Sequence, residues 1–342
     1  MHRFIVGSGR CGSTLLSRML ACNPETLSVF EFLNGIDGAR RFAPEPIPGA
    51  AYAELISAEQ PFLTMVYQRG YEAPEVLYPF DAPEARFRRD QGLPWILVAM
   101  LPAMSERPHQ LYDALIAFVR ELPDQPASAH HRALFDWLAH ESGRKVWVER
   151  SGASIDYLGQ LHAAFPEARF LHIHRAGEEA ALSMREHHAF RLAIMLAYQL
   201  SPDSGRNGEP LRAPLERETA GDRIAALLAT RPPARHFGRW WTDQILRGFA
   251  AMPRVDAHQL HAIRFEDLLS EPEAVLAEVA AFLELPDPQG AWRAEGAALV
   301  RGAPALRAPA LEPGEREALE EACRPGNLLL GRSGGAATSA PG

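Results

Sequence analysis

The apolar positions of this chain alternate between two rhythms. Arg3–Val6 (RFIV) is a short apolar run, and Leu15, Leu16, Met19 and Leu20 then share one helical face. The same change recurs downstream. Lys145–Glu149 (KVWVE) reads as a strand, followed by a helix from Ile155 to Phe165 that Pro166 stops. Arg169–His174 (RFLHIH) is the next strand, with a helix over Glu178–His188. Gln259–Phe265 (QLHAIRF) leads into a helix over Pro272–Leu285, carrying Val275, Leu276, Val279, Phe282 and Leu283. Strands alternating with helices predict an α/β fold with a central parallel sheet flanked by helices.

Other stretches break the rhythm. Residues 35–140 form a largely helical, substrate-shaping insertion, with one helix around Asp113–Leu122 and aromatics such as Tyr52, Tyr67, Tyr78 and Trp95. Those aromatics serve a core as readily as a binding wall. Residues 201–233, rich in Pro, Gly and Arg, read as a mobile surface excursion, and residues 333–342 as a disordered tail. One domain over residues 1–332 accounts for the rest. No internal repeat is present.

Composition narrows the partners. With 342 residues, 47% of them hydrophobic, the chain can bury a large core. A formal charge of −8 argues against nucleic acid, while leaving room for a basic cleft. Cys11, Cys22 and Cys323 have neither zinc spacing nor the look of a disulfide framework, which points to a reducing compartment. No signal peptide precedes the first strand, and no stretch reaches the ~18 apolar residues of a membrane span. The expectation is a cytoplasmic protein. The oligomeric state is not legible.

The chemistry starts at Gly7–Leu20, GSGRCGSTLLSRML. Gly7 and Gly12 have the spacing of a triphosphate-binding loop, but Ser13 stands where that loop carries lysine. A glycine-rich turn between strand and helix still makes an anion nest from N–H groups and the positive helix end. Gly7, Gly9 and Gly12 permit close approach, Ser13 and Thr14 add hydroxyls, and Arg10 supplies a forked cation. A magnesium-dependent site also needs a carboxylate at a strand end. Here strand Arg169–Ile173 runs into His174 and Arg175 instead. Lysine and carboxylate missing together suggest a phosphate-bearing donor used without metal. A second pair, Arg175 and Ser183 eight residues on, places a guanidinium at a strand end and a hydroxyl on the next helix, suited to one phosphate.

With these features on the page, the chain resembles the sulfotransferases that use 3′-phosphoadenosine 5′-phosphosulfate, in particular their bacterial branch. RCGSTLL matches that family's [KR]-x-G-[ST]-[ST] loop for the 5′-phosphosulfate, and Arg175 with Ser183 matches its 3′-phosphate pair. VWVERSGASIDYLGQLHAAFPEARFLHIHR is similar to the run leading to that arginine. IRFEDLLSEPEAVLAEVAAFLEL is similar to the family's C-terminal strand and helix. Three departures stand out. Arg10 replaces the lysine of the cytosolic branch, Cys11 takes a position usually held by a small residue such as serine, and the C-terminal Arg-Lys-Gly segment has no full counterpart. Arg301 and Arg307 are weak substitutes for it.

The resemblance implies a P-loop-like sulfotransferase fold and sulfuryl transfer to a hydroxyl or amine of a small-molecule or carbohydrate acceptor, without metal. It implies that Gly9, Arg10, Cys11, Gly12, Ser13, Thr14, Leu15, Arg175 and Ser183 bind the donor, and that Arg10 also stabilises the leaving oxygen. Glu31 is the expected base and Arg150 the strand-end cation on the sulfuryl oxygens. Glu149 and Asp156 are alternative bases, and His109, His187 and His188 suit the role by chemistry. The rival readings are an ATP-dependent small-molecule kinase and a non-catalytic nucleotide-binding protein.

Overall fold

The computed structural model describes residues 1–71, 75–89, 91–198, 222–287 and 289–332. Five strands form one sheet: β1 (Arg3–Val6), β2 (Thr26–Phe30), β3 (Val146–Arg150), β4 (Arg169–His174) and β5 (Leu260–Arg264). Their spatial order is β2-β3-β1-β4-β5 and every pairing is parallel. Parallel strands need long crossovers, and helices supply them. Alternate side chains divide the sheet into two faces. Phe4, Val6 and Phe170 join one buried cluster, while Ile5, Leu171 and Ile173 join another on the opposite face.

Helix α1 (Ser13–Ala21) follows β1 directly. Between β2 and β3 lie α2 (Gly49–Ser57), α3 (Pro61–Tyr67), α4 (Trp95–Val98), α5 (Met100–Met104), α6 (Pro108–Arg120) and α7 (Ala127–Glu141). This is the expected helical insertion. Most of its aromatics fill a core shared with one face of the sheet: Tyr52 is fully buried, and Tyr67 and Tyr78 nearly so. Helix α8 (Leu158–Ala164) leads to β4.

The helix expected over Glu178–His188 is two helices, α9 (Gly177–Glu186) and α10 (His188–Ala197). His187 breaks them by adopting an extended conformation (φ −95°, ψ 114°), and its Nδ1 caps α10 by accepting the Phe190 N–H at 3.4 Å. Of the excursion expected at residues 201–233, residues 201–221 lie outside the described residues. The remainder holds helix α11 (Arg223–Ala229), which packs on α10. Then come α12 (Ala234–Ala251), α13 (Phe265–Ser270), α14 (Pro272–Phe282), α15 (Ala291–Ala297) and α16 (Pro313–Leu329). The strand expected to reach Phe265 ends at Arg264, because Phe265 opens α13. The tail at residues 333–342 lies outside the described residues.

From β1 the chain turns to one side for β2 and β3, and to the other for β4 and β5. In open parallel sheets the crevice beyond the carboxyl ends of the strands, at such a reversal, is where ligands bind. Here that edge carries the glycine loop after β1, Glu31 after β2, Arg150 at the end of β3 and Arg175 after β4.

Candidate active site

A cavity of about 890 Å³ opens at this edge. Its lining includes Arg10, Gly12–Leu15, Glu31, Arg150, Arg175 and Ser183. The fold therefore gathers residues from four strand ends around one space.

Gly12 caps α1 with φ 98°, a conformation that disfavours any side chain. A Cβ at Gly12 would also meet the Phe265 ring at 2.0 Å. Phe265 thus packs against the loop at the cavity wall, and Arg175 lies over the same ring at 5.0 Å. The first turn of α1 leaves N–H groups without intrahelical acceptors beside the cavity. Leu15 N–H is one already used, bonded to the Gly12 carbonyl at 3.0 Å.

Glu31 and Arg150 form a buried ion pair. Phe30 and Arg150 are direct partners in the sheet, so the residue after β2 arrives beside the end of β3. Glu31 sits at φ 57°, and its backbone is held on both sides. Its N–H donates to the Arg150 carbonyl at 2.8 Å, and its own carbonyl accepts the Trp95 indole N–H. The carboxylate accepts from Arg150, from Asn34 Nδ2 at 2.7 Å and from the Gly152 N–H at 3.1 Å. Arg150 is 1% exposed and lies over the Phe30 ring at 3.9 Å. Its Nε and second terminal nitrogen are buried without a hydrogen-bond partner among the described residues.

Arg10 is the second non-glycine residue here with positive φ, at 59°. Left-handed backbone costs roughly 1–2 kcal/mol in an L-residue, so three such residues at one site, with Ala153 at φ 58° as the third, mark it as specialised. Arg10 Nε donates to Ser183 Oγ at 3.2 Å, and its terminal nitrogen pairs with Glu75 at 2.6 Å. The other Glu75 oxygen accepts from His187 Nε2 at 2.7 Å. Because His187 Nδ1 accepts the Phe190 N–H, the ring proton lies on Nε2. Burial alone would raise the Glu75 carboxyl, but His187 and Arg10 outweigh it and hold it at about 2. Arg175 and Ser183 both line the cavity, yet the polar partner of Ser183 is Arg10. Arg175 faces Glu179 at 3.8 Å.

Other expected residues sit elsewhere. Gly9 is not in the cavity lining, and its N–H donates to Gln244 Oε1 at 3.1 Å. The Cys11 side chain is fully buried with Ile5, Leu16 and Ile173, and burial pushes its thiol up. A Cβ on Gly7 would lie 2.6 Å from that sulfur, so Cys11 is a compact apolar filler beneath the loop. Glu149 is buried off the cavity, accepting from Ser151, and Asp156 pairs with Arg247. His109 bonds Tyr78, and the His188 ring lies 4.5 Å from that of Tyr71, tilted by 45°; neither lines the cavity. Arg301 and Arg307 are exposed, and the Arg307 N–H donates to Glu179.

Two participants were missed. Glu75 comes from an aperiodic stretch with no sequence signal. Gln244 had one: it shares a helical face with Trp241, Ile245 and Gly248, and a glutamine on a buried stripe asks for a partner.

Among solved structures, the sulfotransferase domain from the curacin biosynthetic pathway is similar, at 16% identity and a TM-score of 0.46 over 84% of this chain and 76% of that one. The sulfotransferase domain of the Synechococcus PCC 7002 olefin synthase gives 15% and 0.46, over 94% and 93%. A sulfotransferase from Mycobacterium avium gives 14% and 0.45, over 96% and 75%. No curated protein sequence matches significantly. At these scores the relationship rests on sequence: residues 4–203, more than half of the chain, match the profile of the sulfotransferase family. The chain belongs to the sulfotransferase family.

Proposed function

We propose that the protein transfers the sulfuryl group of 3′-phosphoadenosine 5′-phosphosulfate to a hydroxyl of a small acceptor. The observation that carries this reading is the single cavity that joins the Gly12–Leu15 turn, Arg10, Arg175 and Ser183 to the Glu31–Arg150 pair. The residues fit such a donor. A side chain at Gly12 would clash with Phe265, so the turn keeps its backbone bare, and Arg150 has buried nitrogens without a partner among the described residues.

In this reading the loop and the start of α1 bind the 5′-phosphate, and Arg175 and Ser183 bind the 3′-phosphate. The acceptor oxygen forms a bond to sulfur as the bond from sulfur to the phosphate oxygen breaks. The electron pair leaves with the phosphate, and the acceptor proton passes to Glu31. Arg10 and Arg150 stabilise charge that grows on the departing and equatorial oxygens. Glu31 must loosen from Arg150 to take the proton, and Arg150 then becomes available to the sulfuryl oxygens. No step draws on a metal.

Melting temperature measured with adenosine 3′,5′-bisphosphate, ADP or ATP tests the donor, since a ligand of the folded state raises it by mass action. The bisphosphate should stabilise the chain in EDTA. A shift with Mg–ATP alone would make the protein a kinase instead. Arg10→Ala should lower turnover roughly 10²-fold or more with little change in stability, by the scale of lost transition-state donors. Activity retained alongside a large fall in melting temperature would oppose the role.

A further inference from the structure

We infer that the acceptor is an apolar alcohol and not a sugar. This rests on the proposed transfer reaction and names the substrate class for its site. Beside the glycine loop, part of the cavity wall comes from the insertion and from α10. Its apolar members include Leu63, Val76, Leu77, Val98, Ala99 and Ala193.

The polar groups on that wall are already engaged. The Trp95 indole N–H is bonded to the Glu31 carbonyl. Glu75 and His187 are bonded to each other, and Glu75 also to Arg10. Gln60 is the one other polar side chain among the described residues of this wall. A sugar carries several hydroxyls, and each one enclosed without a partner loses its hydration uncompensated. One glutamine does not serve such a ring. Charge argues against a cationic acceptor, because the carboxylates at the cavity, Glu31 and Glu75, each face an arginine, and Arg18 adds a further cation to the lining.

Space is adequate for two molecules. The cavity lies near the top of the roughly 300–1,000 Å³ usual for small-molecule sites. A nucleotide on the loop leaves the apolar part for the acceptor. Small side chains at Ala99 and Ala193 keep that part open. An apolar body against this wall would leave its one hydroxyl to meet Glu31.

The test is calorimetric titration of 2-naphthol, cyclohexanol and methyl β-glucopyranoside into the protein, with and without saturating adenosine 3′,5′-bisphosphate. The two apolar alcohols should bind at least roughly tenfold more tightly than the glucoside, a difference that calorimetry resolves easily. Ala193 is half-buried on α10 and takes substitution without entering the core. Ala193→Trp should fill the apolar part, and Ala193→Asp should charge it. Each should weaken naphthol about tenfold or more while bisphosphate affinity stays within about twofold. Preferred binding of the glucoside overturns the inference, as does naphthol binding unchanged in both variants. Bisphosphate binding with no alcohol binding overturns it while leaving the donor intact. Absence of bisphosphate binding overturns the donor, and the alcohol titrations still decide the apolar wall.

Discussion

The carboxylate of Glu75 lies 2.6 Å from the Arg10 guanidinium, so the insertion already presents an anion to the cation of the glycine loop. A bound donor and Glu75 would compete for that guanidinium. With its carboxyl held at about 2, Glu75 stays ionised at any working pH and protonation does not relieve the contest. Glu75→Gln should therefore tighten adenosine 3′,5′-bisphosphate binding by about three- to tenfold, the range of one modest charge contact. The gain should shrink as salt is raised, because the pair is partly exposed. Calorimetry at two ionic strengths checks both statements; weaker binding in the variant would show that Glu75 assists the ligand.

Gly12→Ala should damage the loop in two separable ways. A side chain at φ 98° is strained, and its Cβ would enter the Phe265 ring. The single variant should lose more than about tenfold in bisphosphate affinity and melt lower. Phe265→Ala in the same chain removes the clash but not the backbone strain, so recovery should be partial. Full recovery would mean that the φ value is unimportant.

The Glu31–Arg150 pair should show strong coupling. Removing one partner of a buried pair strands the other charge, at a cost of about 3–5 kcal/mol in buried sites. Arg150→Met and Glu31→Gln should each lower denaturant stability by an amount near the lower end of that range. The double variant should lose clearly less than the sum. Additive losses would show that the two side chains act independently. Glu31→Gln should also abolish turnover without preventing bisphosphate binding.

Glu149 gives a pH signature. Burial raises its carboxyl to about 8, against partial opposition from the Ser151 hydrogen bond. The folded chain thus keeps a proton that the unfolded chain releases near the ordinary carboxylate value. Stability from this group is complete below about 4.5 and is lost as pH rises through about 8. The buried histidines His2, His131, His172 and His174 are depressed to between about 3 and 4, mainly by burial. Their contribution is lost as pH falls below the ordinary histidine value of about 6.5, which leaves about 6.5 to 8 as a clean window for Glu149. Across it the melting temperature of the native chain should fall by a few degrees, since roughly 1 kcal/mol moves a chain of this size by about 2 °C. Glu149→Gln should flatten that slope, and an unchanged slope would assign it to other groups.

Much of this candidate site is legible in the sequence alone. Glycine spacing, the strand before it and the apolar face after it located the loop, because local backbone chemistry fixes all three. Arg175 and Ser183 were legible as a spaced pair, since a strand end and the next helix turn are joined by a short connection. The role of Ser183 as partner of Arg10 was not, for that bond spans 173 residues of sequence. Glu75 could not be read at all, because position in the insertion depends on packing and not on periodicity. The break at His187 was hidden inside a run that is helical by composition. The extended backbone of His187, whose side chain caps the Phe190 N–H, divides it.

Phe265 also bears on how the chain matures during synthesis. The glycine loop leaves the ribosome well before Phe265, the ring that packs against it. Gln244, which anchors Gly9, also emerges late. The nascent amino-terminal part therefore carries the loop's residues without the support that fixes its shape. The final shape of the loop is fixed only once β5, which leads into Phe265, has docked at the edge of the sheet.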